Sequence, residues 1–292
     1  MAEHTESSLA VALDDMSLEI GVHDLDALAK HPDLLPAKSR VYVNAVAGEG
    51  AEARVEAATR LRKFGYQPVP HIAARRMPST DALEYYLQQL STRAGVNEVL
   101  VIGGDIGQPL GPYESALQVI QSGLLTKYSI TRVGIAGYPD GHPGIGDDVL
   151  GQTLDEKLDA CRKVNIEPYV VTQFSFQADS IINWCRGLHA RHADISIHAG
   201  IPGPAKLATL MRFAKICGVQ SSAKKLLKNK KIGLDLLRGA APWEQIEAIG
   251  QYQLETGLPV STHIFTFGGL NEVVKWLGQV RSGGNGRNDL RI

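Results

Sequence analysis

Charge of one sign is missing from this sequence. Thirty basic residues stand against 31 acidic ones, a formal net charge of −1. No global field favours nucleic acid or an anionic membrane surface. Long hydrophobic runs are missing too. No stretch reaches the roughly 18 apolar residues of a membrane span, although 44% of the chain is hydrophobic. Cysteine is scarce. Cys161, Cys185 and Cys217 lie far apart and form no CxxC pair, so they read as reduced, mostly packed thiols of a cytoplasmic protein. The opening MAEHTESSLAVALDD is too acidic and polar for a signal or transit peptide and is expected to be a loose arm over residues 1–16. RSGGNGRNDLRI is expected to be a frayed tail over 281–292.

What is present is an alternation. Short β-branched runs recur at SLEIG (17–21), SRVYVNA (39–45), QPVPHI (67–72), EVLVIGGD (98–105), TRVGIAGYP (131–139), EPYVVTQF (167–174), ADISIHAGIP (193–202) and STHIFTF (261–267). Between them lie stretches such as STDALEYYLQQLSTRAG, whose apolar residues recur at three and four positions, the helix period. Eight strands alternating with helices predict a closed, single-domain α/β barrel, (β/α)8, over residues 17–280. An open doubly wound sheet is the alternative.

Such a barrel carries its chemistry at the C-terminal ends of its strands. Polar residues fall there repeatedly: Glu19 in the first strand, Asn44 after the second, His71 in the third, Asp105 after the fourth, Tyr138 and His142 after the fifth, Thr172-Gln173 after the sixth. Gly103 and Gly104 remove side chains, so a flat ligand can lie against the backbone, with Asp105 aimed into the mouth. By itself this segment reads equally as a tight turn with an Asp cap. It lacks the GxGxxG spacing of a dinucleotide fingerprint. GYPDGHPG (137–144) is a rigid loop presenting Tyr138, Asp140 and His142. His189, His192 and His198 have no carboxylate or cysteine to complete a metal set, so no metal is expected. KKLLKNKK (224–231) reads as a solvated helix face, or as an attraction for an anionic ligand tail.

Several stretches together resemble the methylenetetrahydrofolate reductase family, in order and over most of the chain. Ser17-Leu18-Glu19 matches a first-strand Ser-Phe-Glu, and Pro70-His71-Ile72 a Pro-His-Leu strand. Ile102-Gly103-Gly104-Asp105 matches Leu-Arg-Gly-Asp. Tyr138-Pro139-Asp140-Gly141-His142-Pro143 matches Tyr-Pro-Glu-x-His-Pro, and Val171-Thr172-Gln173-Phe174-Ser175-Phe176 matches Ile-Thr-Gln-Phe-Phe-Phe.

The resemblance implies hydride transfer from NADH or NADPH, through FAD, to 5,10-methylenetetrahydrofolate, giving 5-methyltetrahydrofolate, or the reverse. It makes Glu19 the general acid that opens the folate's five-membered ring, a role suited to a carboxyl whose pKa desolvation has raised. It makes Asp105 the carboxylate between flavin and pterin, and gives Gln173, Phe213 and Thr209 (where the family has Gln) to folate binding. Asn44, His71, Gly104, Asp105, Tyr113, Tyr138, His142 and Lys157 fall at flavin-contacting positions. A homo-oligomer is implied by the same analogy.

The departures are concentrated on the flavin side. Gly103 and Glu156 stand where the family has arginines, Gly269 replaces a late Arg, and Ile20-Gly21-Val22-His23 replaces Phe-Phe-Pro-Pro. Forked guanidinium donors suit phosphate, and an acid does not. Two other readings therefore stay open: a folate-binding protein without redox activity, and a barrel lyase or aldolase using Glu19 and Asp105 for proton transfer.

Overall fold

A computed structural model describes residues 2–46, 48–219 and 242–281. Eight parallel strands close into a barrel in sequence order. They are β1 (Ser17–Ile20), β2 (Arg40–Val43), β3 (Gln67–Ala73), β4 (Glu98–Ile102), β5 (Arg132–Gly137), β6 (Glu167–Thr172), β7 (Ile197–Pro202) and β8 (Val260–Phe265). Each coincides with one of the eight apolar runs of the sequence, β3 and β8 running one residue beyond theirs. β8 closes on β1 with Ser17 opposite His263 and Glu19 opposite Phe265. The chain is thus a single (β/α)8 barrel.

The helices, in chain order, are α1 (Ala2–Asp14), α2 (Leu25–Leu28), α3 (Ala51–Lys63), α4 (Thr80–Ala94), α5 (Ala116–Gln121), α6 (Leu124–Lys127), α7 (Asp147–Lys163), α8 (Ala178–His189), α9 (Leu207–Ile216), α10 (Trp243–Thr256) and α11 (Leu270–Arg281). α4 shows how local sequence sets them. Ser79 caps its start by accepting from the Ala82 N–H at 3.0 Å. Gly95 ends it in the left-handed region at φ 56°. Leu83, Tyr86, Leu87, Leu90 and Ala94 bury one face.

Strand alternation divides the core in two. Leu18, Ile20, Val41, Val43, Val99, Val101, Val133 and Ile135 face the helices. Tyr42, Val69, Leu100, Tyr169 and Val171 fill part of the barrel interior. The rest of the interior is polar. Near its N-terminal end the buried Glu98 carboxylate accepts from Arg40 Nε at 3.0 Å and pairs with Arg132 at 3.5 Å.

The expected loose arm is different in the structure. Residues Ala2–Asp14 form α1, which packs on α10 and β8 beneath the barrel. Ala12 is fully buried there, with Leu9 and Leu13 partly buried against the core. That face needs a partner helix, which local sequence does not reveal. The basic run 224–231 and the tail beyond 281 lie outside the described residues.

Candidate active site

The C-terminal mouth of the barrel gathers Glu19, Gln173 and Asp105 around one side chain. The Cys217 thiol, just after α9, bonds the Gln173 side chain and feels both carboxylates. Burial pushes that thiol up to about 11, so it is a neutral lining group rather than a nucleophile.

Glu19 sits deepest. Its side chain is only 13% exposed, with His71 Nε2 at 3.4 Å and His263 Nε2 at 3.5 Å from the same carboxylate oxygen. Both histidine nitrogens are buried, and the Glu19 carboxylate is the polar group they face. The Asn44 side chain also bonds Glu19 and leaves its own carbonyl oxygen buried and unpartnered. At the same level Thr266 Oγ1 donates to the Glu19 backbone carbonyl at 2.8 Å, tying the end of β8 to β1.

The raised pKa expected of Glu19 is corrected here. Desolvation pushes it up, but the charges of His71 and His263 and the bonds from His263 and Asn44 together leave it below the ordinary carboxylate value. Burial, only partly opposed by Glu19, pushes His71 below its usual value. At neutral pH the pair is therefore a carboxylate beside a neutral imidazole. Any proton that Glu19 gives to a ligand has to be delivered to it.

Asp105 lies at the rim. Its side chain is 74% exposed, and Oδ1 accepts from Arg76 Nη2 at 2.6 Å and Nε at 2.9 Å. The carboxylate aimed into the mouth is thus shared with a guanidinium from the segment after β3. Gly104 takes φ +99°, which favours glycine, and a side chain at Gly103 would meet no atom within 4 Å. The two glycines leave a clear patch of backbone.

The β6–β8 side of the mouth is aromatic. Phe213 stacks on Phe267 at 4.2 Å between centroids, and Phe267 stacks on Phe265 at 5.3 Å. Phe174 and Phe176 pack behind them. Thr209 lies one turn before Phe213 on α9. Across the mouth, His142 packs edge-on against Tyr138 at 5.3 Å. The loop carrying them reaches the end of α9, where Pro143 fills the space beside Gly218.

The flavin-side positions can be tested against the group they were expected to hold. A dinucleotide brings two phosphates, which need free cations or N–H donors. Arg75 spends its guanidinium on the carbonyls of Ile106, Gly107 and Glu114, and Arg76 spends its own on Asp105. Lys157 is half-buried, with burial lowering its pKa and Glu156 as its charged neighbour. Tyr113 is buried, its hydroxyl 3.4 Å from Thr80 Oγ1. The patch at Gly103-Gly104 fits a flat ring. This donor set does not fit the diphosphate of FAD.

The sequence model of methylenetetrahydrofolate reductase matches residues 23–231. The chain belongs to the methylenetetrahydrofolate reductase family. Methylenetetrahydrofolate reductase 2 of Saccharomyces cerevisiae is 27% identical over 173 residues, 54% of this chain and 27% of the yeast protein. The match thus spans about a quarter of that relative's length. Among solved structures, an uncharacterized protein from Clostridium thermocellum that binds two copies of 5-methyl-5,6,7,8-tetrahydrofolic acid shares the fold. Its TM-score is 0.60 at 13% identity, covering 95% of this chain and 98% of that one.

Within this family member, sequence reasoning missed His263, Ser17, His198, Arg76 and the Phe265–Phe267 stack. A signal for the first two was present. Ser17 and Glu19, and His263 and Phe265, are two apart and so share one face of their strands. Of the other histidines, His189 bonds Tyr252 and the Ile195 carbonyl, and His192 bonds Asp155.

Proposed function

We propose that this chain binds a reduced folate across the barrel mouth and interconverts 5,10-methylenetetrahydrofolate and 5-methyltetrahydrofolate, with NADH or NADPH as hydride partner. The observation that carries this reading is Glu19, sunk beneath the mouth between two histidine nitrogens and opposite an aromatic stack. The family membership supports the same reaction.

In the reducing direction, Glu19 protonates the nitrogen that leaves as the five-membered ring opens. The electrons of the broken C–N bond stay on that nitrogen, and the methylene carbon becomes an iminium on the other. Hydride then adds to that carbon and leaves a methyl group. One proton is consumed per turnover. Asp105 suits the guanidine-like edge of the pterin and the cationic iminium. Gln173 suits orientation of the same ring, and Phe213 suits stacking on the folate. No step here is assigned to FAD, whose diphosphate the flavin-side residues do not suit; the diphosphate of NADH or NADPH, which these residues suit no better, has to be met by other groups of the chain.

That poor fit favours one second reading, a folate-binding protein without redox activity. One preparation separates the two. The absorbance spectrum is recorded before and after FAD is added, and methylenetetrahydrofolate-dependent NAD(P)H oxidation is followed on the same dialysed sample. Turnover without a flavin band is expected. Turnover that requires added FAD would overturn the reading of the flavin wall. Tight 5-methyltetrahydrofolate binding with no oxidation would replace the enzyme with the binding protein. Asp105→Ala is expected to lower folate turnover at least tenfold with the fold intact, and an unchanged folate KM and kcat would remove Asp105 from the site.

A further inference from the structure

The proposed reaction consumes a proton at Glu19, and Glu19 is the wrong kind of carboxyl to hold one in reserve. Its surroundings keep it ionised, and a folate with its hydride partner across the mouth would separate it from solvent above. The barrel interior beneath it is built from groups that both accept and donate protons.

His263 presents Nε2 to Glu19 at 3.5 Å and Nδ1 to Ser17 Oγ at 2.9 Å. Ser17 Oγ lies 3.5 Å from His198 Nδ1, and Ser261 Oγ lies 3.2 Å from the same nitrogen. His198 in turn lines a cavity of about 390 Å³ at the opposite, N-terminal face of the barrel, bordered by Asp14 and Asp15, Arg40 and Arg132, and Gln253. A polar cavity of that size admits several waters. Ser17, His198 and His263 are each 2% exposed or less. Buried polar groups in a connected line are costly unless they bond one another, and nothing in the packing of a barrel core requires three of them.

We propose that His263, Ser17 and His198 form a proton relay that recharges Glu19 from the floor of the barrel. The proposal rests on the reaction proposed above. In each turnover the Glu19 carboxylate takes the proton of His263 Nε2, and His263 Nδ1 takes the Ser17 hydroxyl proton. Ser17 takes the proton of His198 Nδ1, and His198 takes one from cavity water. One proton enters from solvent and one leaves on the folate, so charge balances; the pass leaves His263 protonated on Nδ1 and His198 on its other nitrogen, and both rings return to their starting tautomers before the next turnover. The 3.5 Å contacts are long for transfer, as ligand-free proton-transfer contacts often are, and tighten with a small ring rotation.

The surroundings suit passage rather than storage. The groups facing His198 are Ser17 from β1, Arg40 and Tyr42 from β2, Arg132 from β5, Tyr169 from β6, and Ser261 and His263 from β8. Burial and the two guanidinium groups hold it neutral. Facing Glu19 are His71, His263, Asn44 and the Cys217 thiol. His71 touches Glu19, packs edge-on against the Tyr42 ring and has His263 and Arg54 as its other charged neighbours; it does not touch Ser17 or His198, so it is a side branch of the line.

Ser17 and His198 act through Glu19, and the test reads proton delivery rather than structure. Full-length wild type, Ser17→Ala, Ser17→Thr and His198→Ala are compared in methylenetetrahydrofolate-dependent NAD(P)H oxidation. For Ser17→Ala and His198→Ala, kcat is expected to fall at least tenfold while KM for folate and affinity for 5-methyltetrahydrofolate hold. The solvent deuterium isotope effect on kcat should rise. Ser17→Thr should keep the rate, and added imidazole should restore His198→Ala by entering the floor cavity. Unchanged kcat in both variants would overturn the relay. So would a loss that neither imidazole nor the threonine hydroxyl repairs and that leaves the isotope effect unmoved. An active wild type with unaffected variants sinks the relay alone, whereas an inactive wild type sinks the proposed reaction and the relay together.

Discussion

At the scale of single residues, the histidines of the barrel interior set how the protein responds to acid. His71 and His198 both have pKa values pushed below 6.5 by burial. The unfolded chain therefore binds protons that the folded chain refuses as pH falls below about 6.5. Glu19 acts in the same direction at lower pH, because its folded value lies below its unfolded one. Stability is thus fully present at neutral pH and lost on acidification. Tm is expected to fall steadily between about pH 7 and pH 5, and His198→Asn should flatten that slope even if it lowers Tm at pH 7. A slope unchanged in the variant would mean that His198 titrates normally. Glu19→Gln belongs to the same scale. Removing a general acid costs about 10²-fold or more in rate, so kcat should fall by that factor while 5-methyltetrahydrofolate binding survives.

At the scale of elements, α1 and α10 are held at a distance that only glycine permits. A Cβ at Gly250 would lie 1.9 Å from the Ser8 carbonyl oxygen. Glycine to alanine inside a helix ordinarily gains about 1 kcal/mol. Here the contact is with backbone, which cannot swing away, so the sign reverses. Gly250→Ala should lower Tm, while Gly278→Ala on α11, whose Cβ would meet nothing within 4 Å, should leave it level or raise it. Equal effects in the two variants would show that α1 is not docked there. This contact was illegible in the sequence. MAEHTESSLAVALDD has no strong helical face, and its burial depends on a partner more than 200 residues away. The eight strands, by contrast, were legible one by one, because β-branched runs bounded by Gly, Pro and Asn are a local property.

At the scale of the whole molecule, the barrel floor is an ionic layer. Glu98 is 3% exposed and sits between Arg40 and Arg132, each about one-fifth exposed. Arg40 also reaches Asp15 after α1, and Arg132 reaches Glu167 on β6. Breaking such a pair from one side leaves buried charge uncompensated and costs about 3–5 kcal/mol. Glu98→Ala should lose stability on that scale in chemical denaturation, and Glu98→Gln, which keeps hydrogen-bond acceptance, distinctly less. Equal and small losses in both would show that solvent already screens the floor. No helix among the described residues is long and apolar enough to cross a membrane, consistent with the absence of long hydrophobic runs.

The sequence by itself determined the alternation of strands and helices, and with it the closed eight-stranded barrel. It also determined the family, because motifs such as Val171-Thr172-Gln173-Phe174 and Tyr138-Pro139-Asp140 are contiguous. These depend on neighbours in the chain. Only the tertiary structure decided how Glu19 is ionised, because that is settled by His71 and His263, which lie 52 and 244 positions away. It alone decided that Asp105 is held by Arg76, that Arg75 is spent on carbonyls, and that Ser17, His198 and His263 stand in line. A pKa, a free cation and a line of hydrogen bonds are sums over spatial neighbours, and a barrel makes spatial neighbours of strands from both ends of the chain.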